Sequence, residues 1–161
     1  MKQSPAKSAF PMLELLLVML IIAIAVGIAA ANFRNSARAR VIDDVASQVL
    51  SLTRYGRTQA MSQGHTYRLN FNQSDSSYWL TQQDFGAAPQ QLGTEIGQKF
   101  QAPADVQFEV KVQQQTDGVY VEFGPDGRTM VGEIDIKNQS GRLIRIICES
   151  PTETYHIADG R

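Results

Sequence analysis

Hydrophobic residues dominate the N-terminal part of the chain and then recur at two different periods. Every residue from Leu15 to Ala31 is Leu, Val, Met, Ile, Ala or Gly, so a helix here is apolar on all sides. Farther on, apolar residues recur at spacings of three, four and three positions, which predicts an amphipathic helix. These positions are Ile42, Val45, Val49 and Leu52. We therefore predict one long helix from about Phe10 to Met61, bent or frayed near Gly27 and Asn32.

The second half of the chain alternates between apolar and polar residues and carries repeated turn signals, the pattern of a β domain. Tyr67, Leu69 and Phe71 fall on one face of a predicted strand, and Gly124-Pro125-Asp126-Gly127 is a strong turn signal. The Gly-, Pro- and Gln-rich segment from Asp84 to Ala104 is predicted to be a long surface loop. The predicted strands are Thr66–Asn72, Ser77–Gln83, Val106–Val112, Val119–Phe123, Thr129–Lys137 and Arg142–Glu149, with a short last one at Glu153–Ala158.

These elements define the fold class that we expect. Six or seven antiparallel strands after one long helix predict an α+β fold. The long N-terminal α-helix, membrane-spanning in its first half, is expected to pack on an antiparallel β-sheet or sandwich domain. The amphipathic second half needs such a partner, because its apolar stripe gains free energy only when it is buried.

Composition and charge narrow the possible functions. The 161 residues carry a formal net charge of −1, which argues against a broad basic surface for nucleic acid. The single cysteine, Cys148, excludes an intrachain disulfide and shares a predicted strand face with Ile144 and Ile146, so we expect it to be buried. His65 and His156 have no Cys or His neighbours at metal-ligand spacing.

Catalytic motifs are absent from the sequence. No Gly-x-Ser-x-Gly elbow, phosphate-binding loop or His-Glu-x-x-His stretch occurs, and the carboxylates are dispersed. We therefore expect a protein that is not an enzyme, with no catalytic residues, no metal and no cofactor. A membrane-tethered enzyme stays an alternative, which a deep pocket lined by perturbed titratable groups would support.

The N-terminal apolar segment admits three interpretations. In a cleaved secretory signal, Lys2 and Lys7 would form the basic region and residues 29–31 the small-residue cleavage site. In a plain transmembrane anchor, about 20 residues at 1.5 Å each would cross the hydrocarbon core. The third interpretation starts from Glu14, because an ionised side chain in hydrocarbon costs about 2.5–3.5 kcal/mol and requires a partner.

The residues around Glu14 resemble the processing motif of type IV prepilins and pseudopilins. That motif has a short basic leader, a small residue before the cut, Phe after it, Glu at the fifth mature position, and a long apolar helix. Ala9, Phe10 and Glu14 occupy these positions, and the run Leu13-Glu14-Leu15-Leu16-Leu17-Val18 is similar to the core of the motif. The family usually has Gly before the cut and Thr or Ser after Phe, where this chain has Ala9 and Pro11, so slower cleavage is expected.

The resemblance implies how the chain is processed and assembled. A prepilin peptidase would cut after Ala9 and N-methylate Phe10. The Glu14 carboxylate would then pair with the freed Phe10 amino group of a neighbouring subunit, because opposite charges attract strongly where the dielectric is low. The expected organisation is a leader at 1–9, a transmembrane half-helix at 10–31, an amphipathic half-helix at 32–63 and a periplasmic β domain at 64–161.

The β domain narrows the resemblance to the GspH/FimT family of minor pseudopilins and minor type IV pilins. This similarity is carried by the turn around Gly124-Pro125-Asp126-Gly127, the strand residues Gly132, Ile134 and Ile136, the run Gly141 with Ile144-Arg145-Ile146, and the helix end from Leu52 to Ala60. It implies a structural subunit of the type II secretion pseudopilus, at or near the tip. The implied location is the bacterial inner membrane, crossed once, with a cytoplasmic N-terminus.

The resemblance also names the partners to expect. These are other pseudopilins or pilins bound through the N-terminal helix, the prepilin peptidase, the inner-membrane assembly platform and secreted cargo. A FimT-like minor type IV pilin, active in pilus assembly or DNA uptake, stays an alternative because Arg142 with Arg145 and Arg54 with Arg57 form local basic pairs. DNA is an unlikely partner on charge, since residues 34–161 hold 13 basic and 15 acidic side chains.

Overall fold

The computed structural model describes residues 12–112 and 118–158, without the side chains of residue 13 and residues 29–39. The chain divides into two units, with the boundary between Arg38 and Ala39. One helix, α1 (Met12–Gln63), accounts for 52 residues. The predicted helix is confirmed over the described residues, and its end lies two positions beyond the predicted one. Gly27 and Asn32 are both helical, so the helix is not frayed near them, and a bend at these residues stays a prediction.

The helix stops at Gly64 for a local reason. Gly64 has a left-handed backbone with φ of 74°, and its N–H donates to the carbonyl oxygen of Ala60 over 3.0 Å. A residue without a Cβ adopts this conformation without strain and satisfies a carbonyl that the helix leaves unpaired. The chain therefore turns directly into the first strand at Thr66.

The remaining chain forms two antiparallel sheets, which confirms the predicted α+β class. The strands are β1 (Thr66–Asn72), β2 (Ser77–Gln83), β3 (Gln90–Gln91), β4 (Phe100–Gln101), β5 (Val106–Val112), β6 (Val119–Phe123), β7 (Gly132–Asn138), β8 (Leu143–Cys148) and β9 (His156–Ile157). The first sheet has the order β3-β2-β1-β6, with β4 also paired to β2, and the second has the order β5-β7-β8-β9.

A single core joins α1 to the inner faces of both sheets. The rings of Phe71 and Tyr78 in the first sheet lie 5.5 Å and 5.4 Å from the ring of Phe108 in the second. The four predicted helix-face residues Ile42, Val45, Val49 and Leu52 are all buried in this core. The amphipathic half of the predicted helix and its packing against the β domain are therefore confirmed.

The strand predictions differ from the structure most in three places, while both ends of β8 and the end of β7 differ from the predicted bounds by one residue each. The predicted surface loop between Asp84 and Ala104 also contains β3, β4 and a short 3-10 helix at Glu95–Gly97. β7 begins at Gly132 instead of Thr129, because the backbone N–H groups of Thr129 and Met130 donate to Pro151 and Glu122 instead. β9 contains only His156 and Ile157, a shorter last strand than predicted.

At Gly56 the backbone of α1 lies close to side chains of the first sheet. A Cβ atom at this buried position would lie 2.9 Å from Cδ2 of Phe123 and 3.3 Å from Cδ2 of Leu80. Replacing Gly56 with Val should lower the free energy of unfolding by roughly 1–3 kcal/mol, since the added methyl groups overpack this contact. Chemical denaturation of the detergent-solubilised protein, followed by the fluorescence of Trp79, measures the effect.

The control is Gly27→Val in the same helix, because a Cβ atom at Gly27 would meet no described atom within 4 Å apart from its chain neighbours and the backbone of its own helix. This control should leave the unfolding of the β domain unchanged. Equal unfolding curves for the two variants would show that close helix–sheet contact at Gly56 does not limit stability.

Candidate assembly interface

The first described part of α1 presents an apolar surface on all sides. We call residues 15–28 the apolar helix surface; the large hydrophobic side chains in it are between 46% and 67% exposed. Consecutive positions are apolar and exposed, so the apolar surface runs around the whole segment. Fully burying one such side chain is worth about 1.5–3 kcal/mol, so this surface favours an apolar partner or environment. In the part of the chain that the structure describes, no helix has the length and apolarity needed to cross a membrane.

Glu14 lies at the N-terminal edge of this surface. Its side chain is exposed, and among the described residues it forms no ion pair. The predicted processing residues Ala9 and Phe10, together with Pro11, lie outside the described residues. Cleavage, methylation and the pairing of Glu14 therefore stay predictions, as does the membrane-spanning half-helix.

A cluster of ionised side chains lies on the outer face of the second sheet. We call Lys111, Glu133, Asp135 and Arg145 the Asp135 cluster; they come from β5, β7 and β8. The Asp135 carboxylate is 1% exposed and accepts hydrogen bonds from Arg145 Nε at 2.8 Å and Lys111 Nζ at 3.0 Å. Glu133 Oε1 accepts a hydrogen bond from Lys111 Nζ at 2.7 Å and forms an ion pair with Arg145 Nε at 3.0 Å. The strand register brings these residues together, since Asp135 lies opposite Arg145 in β8 and opposite Glu109 in β5.

The Asp135 cluster stabilises the sheet by charge pairing. Burial alone would raise the pKa of Asp135, but the hydrogen bonds from Arg145 and Lys111 outweigh it and hold the pKa below its ordinary value. Both carboxylates are engaged by cations of this chain. Within residues 12–112 and 118–158, no three His, Cys, Asp or Glu side chains are grouped so as to hold a metal ion.

The predicted basic pairs are largely engaged in contacts within the domain. Arg57 in α1 donates from Nε to the carbonyl oxygen of Gly127 and from Nη2 to that of Thr152, both over 2.9 Å. Arg142 Nη2 donates to Asp43 Oδ1 over 2.7 Å, and Arg145 belongs to the Asp135 cluster. The guanidinium groups of Arg57, Arg142 and Arg145 therefore donate to carboxylate or carbonyl oxygens of the same domain.

Cys148 is 2% exposed, which confirms the expectation of a buried side chain. Its Sγ donates to the carbonyl oxygen of Ser150 over 3.2 Å. Burial raises the pKa of the thiol, so it stays protonated at neutral pH and is a poor nucleophile.

An apolar groove lies beside α1 where the sequence predicted only a surface loop. It has a volume of about 440 Å³ and is bordered by Leu52 and Tyr55 of α1 and by Ile96 and Phe100 of the following segment. The sequence signal for it is weak, because Ile96 is an isolated apolar residue among polar ones. A second feature that sequence patterns missed is Phe85, which is fully exposed in the β2–β3 connection.

The comparisons with known proteins agree with this architecture. The family model described as "Type II transport protein GspH" matches residues 45–152. This match spans most of the chain, so the protein belongs to the GspH family, and the predicted resemblance to this family is confirmed. The matched segment includes α1 from Val45 onward and the strands β1 to β8.

Two solved structures share the fold. One structure of the minor pseudopilin EpsH from the type 2 secretion system of Vibrio cholerae aligns with a TM-score of 0.61 at 8% identity, covering 72% of this chain and 94% of EpsH. A second EpsH structure aligns with a TM-score of 0.64 at 9% identity, covering 76% and 96%. No curated protein matches the sequence. At such low identity the likeness concerns the fold, which is that of a minor pseudopilin.

Replacing Asp135 with Asn should lower the free energy of unfolding at pH 7 by about 1–2 kcal/mol, because a buried acceptor of two charged hydrogen bonds is lost. A depressed pKa stabilises the fold above the unfolded value of about 3.9, and this contribution disappears as the pH falls through the folded pKa. The difference between wild type and variant should therefore shrink below about pH 4. Urea unfolding at a series of pH values measures it.

The control for this experiment is Glu109→Gln. Glu109 pairs with Lys137 on the same sheet face, but both side chains are about half exposed. Such surface pairs contribute about 0–1 kcal/mol, so the control should unfold nearly as wild type does. If Glu109→Gln lowered the free energy of unfolding as much as Asp135→Asn does, the buried carboxylate would have no special role in stability.

Proposed function

We propose that this protein is a minor pseudopilin, a structural subunit of the type II secretion pseudopilus that supports protein export. One observation carries the proposal: the apolar residues of α1 are exposed on all sides at one end and form the core of the β domain at the other. A subunit that assembles through its helix needs this division. The membership in the GspH family supports the same role.

The apolar helix surface has two uses in this mechanism. Before assembly, the half-helix at 10–31 spans the inner membrane once, with the N-terminus in the cytoplasm and the β domain in the periplasm. During assembly, the same side chains pack against the helices of other pseudopilins. Moving the helix from lipid into contact with other helices costs little free energy, because lipid tails and neighbouring helices are similarly apolar.

Glu14 sets how far each subunit is displaced along the helix axis relative to its neighbour. A prepilin peptidase cuts after Ala9 and N-methylates Phe10, and the Phe10 amino group of one subunit pairs with the Glu14 carboxylate of its neighbour. Alone in hydrocarbon, the carboxylate is penalised, so only the correctly staggered arrangement satisfies it. The assembly platform of the inner membrane and secreted cargo complete the set of partners, with this subunit at or near the tip.

The alternative of a FimT-like minor type IV pilin in pilus assembly or DNA uptake is less well supported. Non-specific binding to DNA requires several Lys or Arg side chains that neutralise phosphates. Arg57, Arg142 and Arg145 are instead held by carbonyl and carboxylate oxygens of the β domain. The secretion role requires no such basic surface.

Processing after Ala9 is tested by N-terminal sequencing of the protein extracted from membranes that contain or lack the peptidase. Phe10 should be the first residue only when the peptidase is present. Ala9→Gly should increase the processed fraction, because the peptidase family usually acts after Gly, whereas Ala6→Gly in the same leader should not. A start at Met1 in both membranes, or a start near Asn32, would contradict the proposed processing.

Glu14→Gln should abolish incorporation into the pseudopilus and reduce export of a type II secretion substrate at least tenfold, since the amide cannot neutralise an amino terminus. Pull-down of the assembled pilus fraction and the extracellular level of the substrate measure the two effects. Asp44→Asn is the matched control, because Asp44 is an exposed acid on the same helix. Normal incorporation of Glu14→Gln would remove the proposed register mechanism.

A further inference from the structure

Both walls of the apolar groove beside α1 are fixed by the fold. One wall is α1 itself, whose inner face is buried in the core. The other wall runs from Glu95 to Phe100 and is attached to the first sheet, because β4 pairs with β2. Within this wall the carbonyl oxygen of Gly97 accepts a hydrogen bond from Gln91 Nε2 over 3.0 Å, and a Cβ atom at Gly97 would overlap Leu92. The groove therefore forms without a bound partner.

The lining of the groove combines an apolar part with polar borders. Leu52, Tyr55 and Phe100 form the apolar part together with Ile96, which is 38% exposed. Its volume of about 440 Å³ accommodates a large apolar side chain. Protein interfaces bind their anchor residues in apolar pockets of this kind, surrounded by a polar rim. The polar residues that border the groove are all exposed: Gln48, Ser51, Glu95 and Gln98.

The charge at this rim comes from a single acid. Among the described residues that border the groove, Glu95 is the only charged one. It is exposed and forms no ion pair within the described part of the chain. An acid beside an apolar site favours a partner that carries a Lys or Arg next to its apolar anchor, and this charge pair orients the partner.

The apolar helix surface explains attraction between subunits, but it does not explain the choice of neighbour. Burial of apolar area is non-directional, and any apolar helix offers a similar surface. Discrimination between partners requires a site with a defined shape and charge. The groove has both, and it lies farther along the same helix.

We propose that the groove binds a large apolar side chain of a neighbouring, different pseudopilin, and that a Lys or Arg beside this anchor pairs with Glu95. The inference rests on the proposed function and adds to it the residues that select the neighbour. Groove and anchor are different surfaces, so the contact is heterologous and allows all α1 helices to point in the same direction.

Site-specific photo-crosslinking of the full-length protein, in membranes that contain the whole secretion system, tests the partner. The photoreactive amino acid p-benzoylphenylalanine replaces Gln98, which is exposed at the groove. Antibodies against the other pseudopilins, this chain and a secreted substrate identify the adduct. We expect an adduct with another pseudopilin. Ile96→Ser in the same chain should reduce it about tenfold, because the anchor loses an apolar contact.

The matched control places the same photoreactive amino acid at Gln107, an exposed residue of β5 that does not border the groove. Any adduct formed from this position should not respond to Ile96→Ser. Near-UV circular dichroism checks that the variants fold. An adduct from position 98 that Ile96→Ser leaves unchanged would overturn the proposal.

Charge reversal tests the orientation of the partner. Glu95→Lys should reduce the adduct about tenfold, because it places a base opposite the partner's base. Mass spectrometry of the adduct locates that base, and its replacement by Glu should restore the adduct with Glu95→Lys. Glu149→Lys, at an exposed acid that does not border the groove, is the control and should leave the adduct unchanged. Failure of the double reversal to restore the adduct would contradict the charge pair.

Failure of this inference can be distinguished from failure of the proposed function. If the protein enters the pseudopilus fraction but its adduct from position 98 contains a secreted substrate, a second copy of this chain or no partner, the proposed partner is wrong and the function stands. If the wild-type protein is absent from that fraction, both are wrong.

Discussion

Burial of one face of α1 between two sheets is the interaction on which the rest of the structure depends. Ile42 and Val49 are fully buried in this core, and polar contacts orient the helix at its edges. Tyr78 donates its hydroxyl proton to Gln48 over 2.7 Å, and burial raises the pKa of Tyr78 to about 12, so the donor stays neutral. At the end of the helix, Arg57 joins two turns of the β domain. The turns, sheets and groove are positioned relative to this buried face.

The same helix supplies two chemically different surfaces. In residues 42–60 the apolar side chains that face the sheets are buried within the chain, whereas in residues 15–28 the large apolar side chains are exposed. An exposed apolar surface of this extent gains free energy only from lipid or from other helices. Folding and assembly thus use the same physical force on different parts of one element. The charges of the β domain, by contrast, are mostly paired within it, as in the Asp135 cluster.

The pattern of apolar and polar residues along the chain predicted most helices and strands, but it predicted few of the contacts between side chains on the surface. The period of Ile42, Val45, Val49 and Leu52 identified the buried helix face, and alternation located β1, β2, β5 and β6 to the residue. The start of β7 was missed, because Thr129 and Met130 have the composition of a strand but bond to Pro151 and Glu122. The Asp135 cluster was missed as well. Glu133 and Asp135 are two positions apart in β7, but Lys111 and Arg145 lie 10 to 24 positions from them, and single-sequence patterns do not report strand register.

The sequence by itself determined the class of the protein. A lone acid before an all-apolar run, an amphipathic helix and alternating strands are local features, and each follows from the side chains alone. Tertiary structure decided which charges are paired and where the groove lies. Those properties depend on distances between residues far apart in the chain, and such residues are brought together by strand pairing and by the packing of α1 with both sheets.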